Sequence, residues 1–101
     1  MRDIRIALVI VNCPVAAVGE NLASVERLAG GAAREGAEIV CFPELNLTGY
    51  CVARDVAKTA LPVPGPATEE MVRIARSTSL TILAGLAEKD SDGRLYATHL
   101  V

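Results

Sequence analysis

The chain has 101 residues, of which 51% are hydrophobic, and twelve acidic against ten basic residues leave a net charge of -2. This length allows one domain, while the apolar content and balanced charge exclude an intrinsically disordered chain. The slight acidity excludes a basic nucleic-acid module, and three cysteines are an odd number for a disulfide-stapled scaffold. The apolar run at residues 4–11 is far shorter than the roughly 20 residues of a membrane span. We therefore expect a cytoplasmic globular chain with reduced thiols.

The first half of the chain predicts a strand, a helix and a second strand. Residues 4–11 are rich in β-branched residues and are apolar on both faces after Arg5, which is typical of a strand buried between helices. Apolar residues then recur at helical spacing from Gly19, and Gly36 stands where a C-terminal cap belongs. Two glycines inside this helix, Gly30 and Gly31, predict a close packing contact. Residues 38–42 predict the second strand, parallel to the first because a helix connects the two.

The middle of the chain predicts an irregular loop and two helices. Residues 43–50 fit no regular element, whereas residues 54–60 predict a short helix. Residues 62–66 hold three prolines and predict a stiff, extended connector. Thr68 is the predicted cap of the next helix, whose apolar stripe includes Met71 and Ile74.

The last third of the chain predicts a hairpin. Residues 80–87 predict a strand in which Gly85 indicates a close backbone approach. The Asp-Ser-Asp-Gly turn at residues 90–93 then predicts that residues 94–101 return antiparallel. The order β-α-β-α-β-β is that of an α/β layered domain. The chain stops in mid-strand, and we therefore expect residues 1–101 to be the incomplete N-terminal portion of a larger domain.

Glu44 is the strongest candidate for chemistry. It directly follows a predicted buried strand, and open α/β sheets place their ligands at the carboxyl ends of strands. Its neighbours Phe42, Pro43 and Leu45 are apolar, so we expect a partly desolvated carboxylate that takes and returns protons. A loop glutamate that only caps a turn or faces water is the alternative.

The segment around Glu44 resembles a family motif. Residues 36–45 are Gly-Ala-Glu-Ile-Val-Cys-Phe-Pro-Glu-Leu, and residues 47–50 are Leu-Thr-Gly-Tyr. This pattern resembles the first motif of the nitrilase-type carbon–nitrogen hydrolases, in which a strand ends in Phe-Pro-Glu and Gly-Tyr follows. Further matches are Asn21, Gly65, Gly85, Glu88, Leu95 and Tyr96, so the resemblance spans essentially the whole chain.

The resemblance implies that the chain is the front part of an α-β-β-α sandwich with a Glu–Lys–Cys triad. Glu44 maps onto the glutamate, which implies that it acts as general base. The family's cysteine attacks an amide or nitrile carbon, its lysine supports the oxyanion, and water hydrolyses the resulting thioester. The resemblance implies a small-molecule amide or N-carbamoyl substrate and a homo-oligomer when complete, and we expect no cofactor or metal. Tyr50 is a candidate wall of the substrate pocket, with packing beneath the Glu44 loop as the alternative.

The other two triad members do not map onto this chain. Lys58 and Lys89 lack the family's sequence context, and we predict that both are solvated. Cys41 lies three residues before Glu44 in an extended strand, so its side chain is expected on the opposite face. The triad is therefore incomplete in these residues.

No catalytic role is predicted for the remaining cysteines or for the histidine. Cys13 and Cys51 are predicted to be small, partly buried loop thiols, and His99 a strand residue. Ala97 stands where the family commonly has an asparagine. No metal-ligand spacing or phosphate-binding loop is present in the sequence.

Three hypotheses follow for function. The first is the N-terminal portion of an amidase-like carbon–nitrogen hydrolase. The second is a non-catalytic fragment or interaction subunit, because the triad lysine and cysteine are missing. The third is a small doubly wound binding module, which the opening β-α-β unit permits but no nucleotide motif supports.

Overall fold

The computed structural model describes the backbone of residues 1–101 and the side chains of these residues except that of Ala53. The elements in these residues are β1 (Ile6–Leu8), α1 (Val18–Arg34), β2 (Ile39–Cys41), α2 (Ala53–Thr59), α3 (Pro66–Thr78), β3 (Thr81–Lys89) and β4 (Leu95–Leu100). They form one sheet in the order β1-β2-β3-β4, in which β1, β2 and β3 run parallel and β4 is antiparallel to β3. The predicted α/β class, the parallel pair and the hairpin are confirmed.

Helix α1 ends as its sequence predicts. Gly36 adopts a left-handed φ of 84°, and its N–H donates to the carbonyl of Ala33 at 3.0 Å. The N–H of Ala37 donates to the carbonyl of Ala32 at 3.0 Å. These two bonds form a Schellman motif, which satisfies carbonyls that the helix end leaves free. The chain then turns directly into β2.

Helix α3 begins at Pro66, two residues before the predicted cap. Gly65 is the N-cap residue, and its N–H donates to the hydroxyl of Thr68 at 2.8 Å. The Thr68 hydroxyl in turn donates to the Gly65 carbonyl at 2.9 Å. Thr68 therefore stabilises the helix start from the third helical position rather than from the cap itself.

The core lies between the sheet and one layer of helices. Its buried side chains come from α1, α3 and the strand positions that face them. Examples are Val25 of α1, Ile74 of α3, Val40 of β2 and Leu86 of β3, each with no exposed surface. Burial of such side chains is the main favourable contribution to folding.

The prediction that the first strand is buried on both faces is wrong for this chain. Ala7 and Val9 pack against the core, but Ile6, Leu8 and Ile10 on the alternate face are 52%, 79% and 101% exposed. Both α1 and α3 cover the face that carries Ala7, and side chains alternate along a strand. The regular part of β1 is also only three residues long.

The predicted close packing at the two glycines of α1 is also wrong. A Cβ at Gly30 would lie 3.5 Å from the Arg34 side chain, and one at Gly31 would lie 3.9 Å from it. Both are ordinary contacts with a flexible side chain.

Within the described residues, no helix combines the length and the apolarity that crossing a bilayer requires.

Candidate active site

The segment after β2 leaves the sheet and then returns to it. The N–H of Phe42 donates to the carbonyl of Leu83 at 2.8 Å, and the next backbone bond to β3 joins Leu47 N–H to the Gly85 carbonyl at 3.0 Å. Residues 43–46 therefore bulge away where β3 advances by only two residues. Glu44 lies in this bulge, at the carboxyl end of β2, where the sequence predicts a site.

Gly85 allows the bulge to lie directly against β3. A Cβ at this position would come within 2.6 Å of the backbone nitrogen of Leu45 and within 3.5 Å of the Glu44 Cα. Real Cβ atoms do not approach backbone this closely, so any side chain here would displace the two residues. The predicted close approach at Gly85 is confirmed, and its partner is the backbone of Glu44 and Leu45.

Side chains of the loop complete the pairing of β3. The Oδ1 of Asn46 accepts a hydrogen bond from the Gly85 N–H at 2.9 Å, and the Oγ1 of Thr48 accepts one from the Ala87 N–H at 3.0 Å. Asn46 and Thr48 are 1% and 0% exposed. The two donors lie deep in the protein, where an unpaired N–H would be costly.

The loop after β1 supports the loop after β2. The buried Asn21 donates through Nδ2 to the carbonyls of Pro14 and Leu47, at 2.9 and 3.0 Å. Gly49 has a φ of 82°, and a Cβ there would lie 2.6 Å from the Cα of Val15. The two loops thus pack backbone against backbone at the carboxyl edge of the sheet.

Glu44 is exposed rather than partly desolvated, so this part of the prediction is wrong within the chain. Phe42 and Leu45 are 6% and 8% exposed, and they turn into the protein while Glu44 turns outward. Leu45 adopts a φ of 53°, which is a strained conformation for a bulky side chain. Strain of this kind is concentrated at functional sites, and here it follows directly after Glu44.

Tyr50 is 74% exposed, so the alternative in which it packs beneath the Glu44 loop is wrong. Gly49, the residue before Tyr50, has a positive φ and turns the chain away from the Glu44 loop. Tyr50 does not line the apolar groove beside Leu45, which has a volume of about 280 Å³. The groove is lined by Leu45, Val56, Ala87, Leu95, Tyr96 and Ala97. The residue after Glu44 therefore forms part of a groove wall.

The three cysteines are free and half-buried. Burial raises the pKa of the Cys13 thiol, which favours the protonated, unreactive form. Cys41 lies in register with Leu8 and Leu83, on the sheet face opposite the helices. The prediction that Cys13 and Cys51 are partly buried loop thiols is confirmed.

The lysines and the histidine lie on the surface. The Nζ of Lys58 is 3.2 Å from an Asp55 carboxylate oxygen, and Lys89 and His99 are exposed on β3 and β4. The predicted solvation of both lysines is confirmed. Among the described side chains, no three His, Cys, Asp or Glu residues come together as a metal site would need.

The role of Asn46 was not predictable from the sequence. Its neighbours Leu45 and Leu47 are apolar and give no signal, although an Asn in a turning segment commonly bonds to backbone groups through its side chain. Asn21 and Thr48 belonged to the motif matches, and the structure shows the contacts that both make.

The whole chain from residue 5 onward matches one protein family. Residues 5–101 match the carbon–nitrogen hydrolase family, and the chain therefore belongs to it. It is 35% identical over 92 residues to a nitrilase of Pyrococcus abyssi, across 88% of this chain and 35% of that protein. It is 37% identical over 78 residues to a hydrolase of Mycobacterium tuberculosis, across 77% of this chain and 27% of that protein.

The fold matches a solved amidase from Nesterenkonia sp. with a TM-score of 0.83 at 23% identity. That match covers 95% of this chain and 36% of the amidase. The chain thus spans about a quarter to a third of the length of these proteins. The predicted resemblance to the nitrilase-type carbon–nitrogen hydrolases is confirmed, and with it the nitrilase-type fold.

Proposed function

We propose that this chain supplies the general base of an enzyme that hydrolyses small linear amides or N-carbamoyl compounds, and that Glu44 is the base. The lysine and cysteine of the triad belong, in this proposal, to the complete protein rather than to residues 1–101. The amidase branch is favoured over true nitrilases by the Leu-Asn-Leu-Thr-Gly-Tyr sequence that follows Glu44.

The proposed reaction has two halves. Glu44 takes the proton of the cysteine thiol, and the thiolate attacks the amide carbon. The tetrahedral intermediate, supported by the lysine, collapses as the C–N bond breaks, and Glu44 returns the proton to the leaving amine. Water then attacks the thioester while Glu44 takes its proton. The C–S bond breaks, the acid leaves, and Glu44 returns the proton to the cysteine thiolate.

The observation that carries the proposal is the placement of Glu44. Its carboxylate is exposed at the carboxyl end of a parallel strand, while the backbone beneath it is closed against Gly85. A general base must reach its proton, so a fixed backbone with an accessible carboxylate suits the role. A solved variant of the related Nesterenkonia amidase has acrylamide added at its active-site cysteine. That adduct is a thioether, and it supports the part of the proposal in which the triad cysteine acts as a nucleophile toward carbon.

The experiment uses the complete product of the gene that encodes this chain. Short aliphatic amides and N-carbamoyl amino acids are offered, and ammonia release is measured. Glu44→Gln removes the base at almost constant shape, and we expect it to lower kcat at least 100-fold. Intact-mass measurement is expected to show an acyl adduct on the unaltered protein and none on the variant.

The matched control is Glu69→Gln, which changes an exposed glutamate in the first turn of α3. It is expected to retain full activity. A Glu44→Gln protein that hydrolyses amides as fast as the unaltered one would falsify the proposal. Absence of turnover on all of these substrates would count equally against it.

A second candidate is an interaction subunit without catalysis of its own. The open sheet face favours it, since Ile6, Leu8 and Ile10 are half or more exposed. Contiguous exposed apolar surface commonly marks an interface. Sedimentation of the 101-residue chain tests this: association that Leu8→Lys abolishes supports an interface, and a monodisperse monomer argues against one.

A further inference from the structure

The edge of β3 that faces the Glu44 loop has a complete set of hydrogen-bond partners. The carbonyls of Leu83, Gly85 and Ala87 accept from backbone N–H groups at 2.8, 3.0 and 2.9 Å. The N–H of Lys89 donates to the Leu61 carbonyl at 2.9 Å. The two donors between these positions, at Gly85 and Ala87, are the ones paired with side chains.

These two side chains take the place of an absent strand. In a regular parallel pair, both donors would bond to carbonyls of an extended neighbour. Here the neighbour is turning, and Asn46 and Thr48 supply the oxygens instead. The loop backbone therefore does not need to be extended here, and it remains attached to β3 through the side chains of Asn46 and Thr48.

The attachment points lie on the C-terminal side of Glu44, while Phe42 holds the N-terminal side through its own bond to β3. Within the bulge, the Asn46 N–H donates to the Pro43 carbonyl at 3.2 Å. Glu44 thus lies in a short turn, and both ends of this turn are hydrogen-bonded to β3. Its backbone has little freedom to move relative to β3.

We propose that Asn46 and Thr48 are positioning residues for Glu44, acting through the Gly85 and Ala87 N–H groups of β3. This inference rests on the proposed function, because it assigns a purpose to the fixed turn. The side chains are buried, so water does not compete for these bonds. Displacement of a catalytic group by as little as 1 Å can slow a reaction about 100-fold.

The test uses the complete gene product and variants that keep the shape but remove the acceptor. Asn46→Leu and Thr48→Val each leave a buried N–H without an oxygen. We expect kcat to fall at least tenfold while KM changes less than threefold, because the base is misplaced and the binding surface is retained. Amide hydrogen exchange, followed by mass spectrometry over residues 81–89, is expected to accelerate in the same variants.

Two controls separate positioning from general loss of stability. Thr48→Ser keeps the acceptor oxygen and is expected to restore kcat to within threefold of the unaltered protein. Ile74→Val weakens the core between α3 and the sheet without touching the loop, and its kcat is expected to be unchanged. If Asn46→Leu does not fold, the Thr48 pair decides the question alone.

The outcomes distinguish this inference from the proposed function. If Glu44→Gln is inactive but Asn46→Leu and Thr48→Val retain kcat, Glu44 is the base and the positioning role is wrong. If both variants slow the reaction no more than an equally destabilised Ile74→Val protein, the role is likewise wrong. If Glu44→Gln is fully active, the proposed function fails and the positioning role falls with it.

Discussion

The two edges of β3 are paired in different ways. Along one edge, β4 forms a regular antiparallel ladder from Ala84↔Leu100 to Lys89↔Leu95. Along the other edge, the parallel ladder with β2 ends at Cys41↔Leu83. Beyond that point, the pairing is continued by two side chains of the loop, by the Leu47 N–H and by the backbone of Leu61.

The difference shows how the edge of a sheet can keep its hydrogen bonds while the neighbouring chain turns and exposes a carboxylate. A regular ladder keeps both chains extended, so each side chain is committed to one face of the sheet. Side-chain acceptors free the partner backbone to turn. On the irregular edge, this freedom places Glu44 outside the sheet plane, and the ladder on the β4 edge has no equivalent residue.

The largest expected effect comes from Gly85, which belongs to both edges. Gly85→Ala places a Cβ 2.6 Å from the Leu45 nitrogen and forces the loop away from β3. We expect a loss of about 3 kcal/mol in the free energy of unfolding, measured by urea denaturation. The matched change Gly19→Ala meets no atom within 4 Å, and helix propensity predicts a gain of up to ~1 kcal/mol. Equal stabilities for the two variants would contradict the close approach.

The second effect concerns the support behind the irregular edge. Asn21→Leu removes the donor that joins the carbonyls of Pro14 and Leu47, and leaves both without this partner. We expect a loss of about 2 kcal/mol in unfolding free energy. Asn12→Leu changes an exposed asparagine of the loop that contains Pro14, and is expected to cost less than ~0.5 kcal/mol. Equal losses of unfolding free energy in the two variants would contradict the supporting role of Asn21.

A smaller effect is expected when a single hydroxyl is removed on either side of β3, which compares the two edges directly. Thr48→Val leaves the buried Ala87 N–H unpaired, which we expect to cost about 1–2 kcal/mol. Thr98→Val on β4 removes a hydroxyl that donates to the half-buried Glu88 carboxylate, where water can replace the lost bond. Its expected cost is below ~1 kcal/mol. Thermal unfolding of both variants gives the order, and a more costly Thr98→Val would reverse the proposed contrast.

The smallest effect is expected from surface charge, because the contrast between the edges rests on buried neutral groups. The Arg73 guanidinium bonds to Glu70 and lowers the pKa of that carboxyl below its ordinary value. The stabilisation is therefore present above the ordinary carboxyl pKa and is lost as pH falls through the lowered value. We expect the midpoint of the Glu70 titration, followed by NMR, to shift to higher pH in Arg73→Gln and in high salt. An unchanged midpoint in both would contradict the pairing.

The sequence by itself determined the order of the elements and the position of the candidate base. Helical periodicity, Gly36 and the turn at residues 90–93 are local signals, so α1 and the β3–β4 hairpin follow from neighbouring residues alone. The same holds for Glu44 at the end of β2, because the strand and the proline that stops it are adjacent in the chain. Gly85 indicated a close approach, although its partner was not identifiable.

Only the tertiary structure decided what surrounds these elements. The exposure of Ile6, Leu8 and Ile10 depends on which face α1 and α3 cover, and an apolar run looks the same in either case. The partners of Asn46 and Thr48 lie 39 residues away in sequence. Pairings over such distances depend on how the whole chain folds back on itself. The local sequence therefore located the candidate base, while the long-range packing of β3 against the loop decided how the backbone of Glu44 is held.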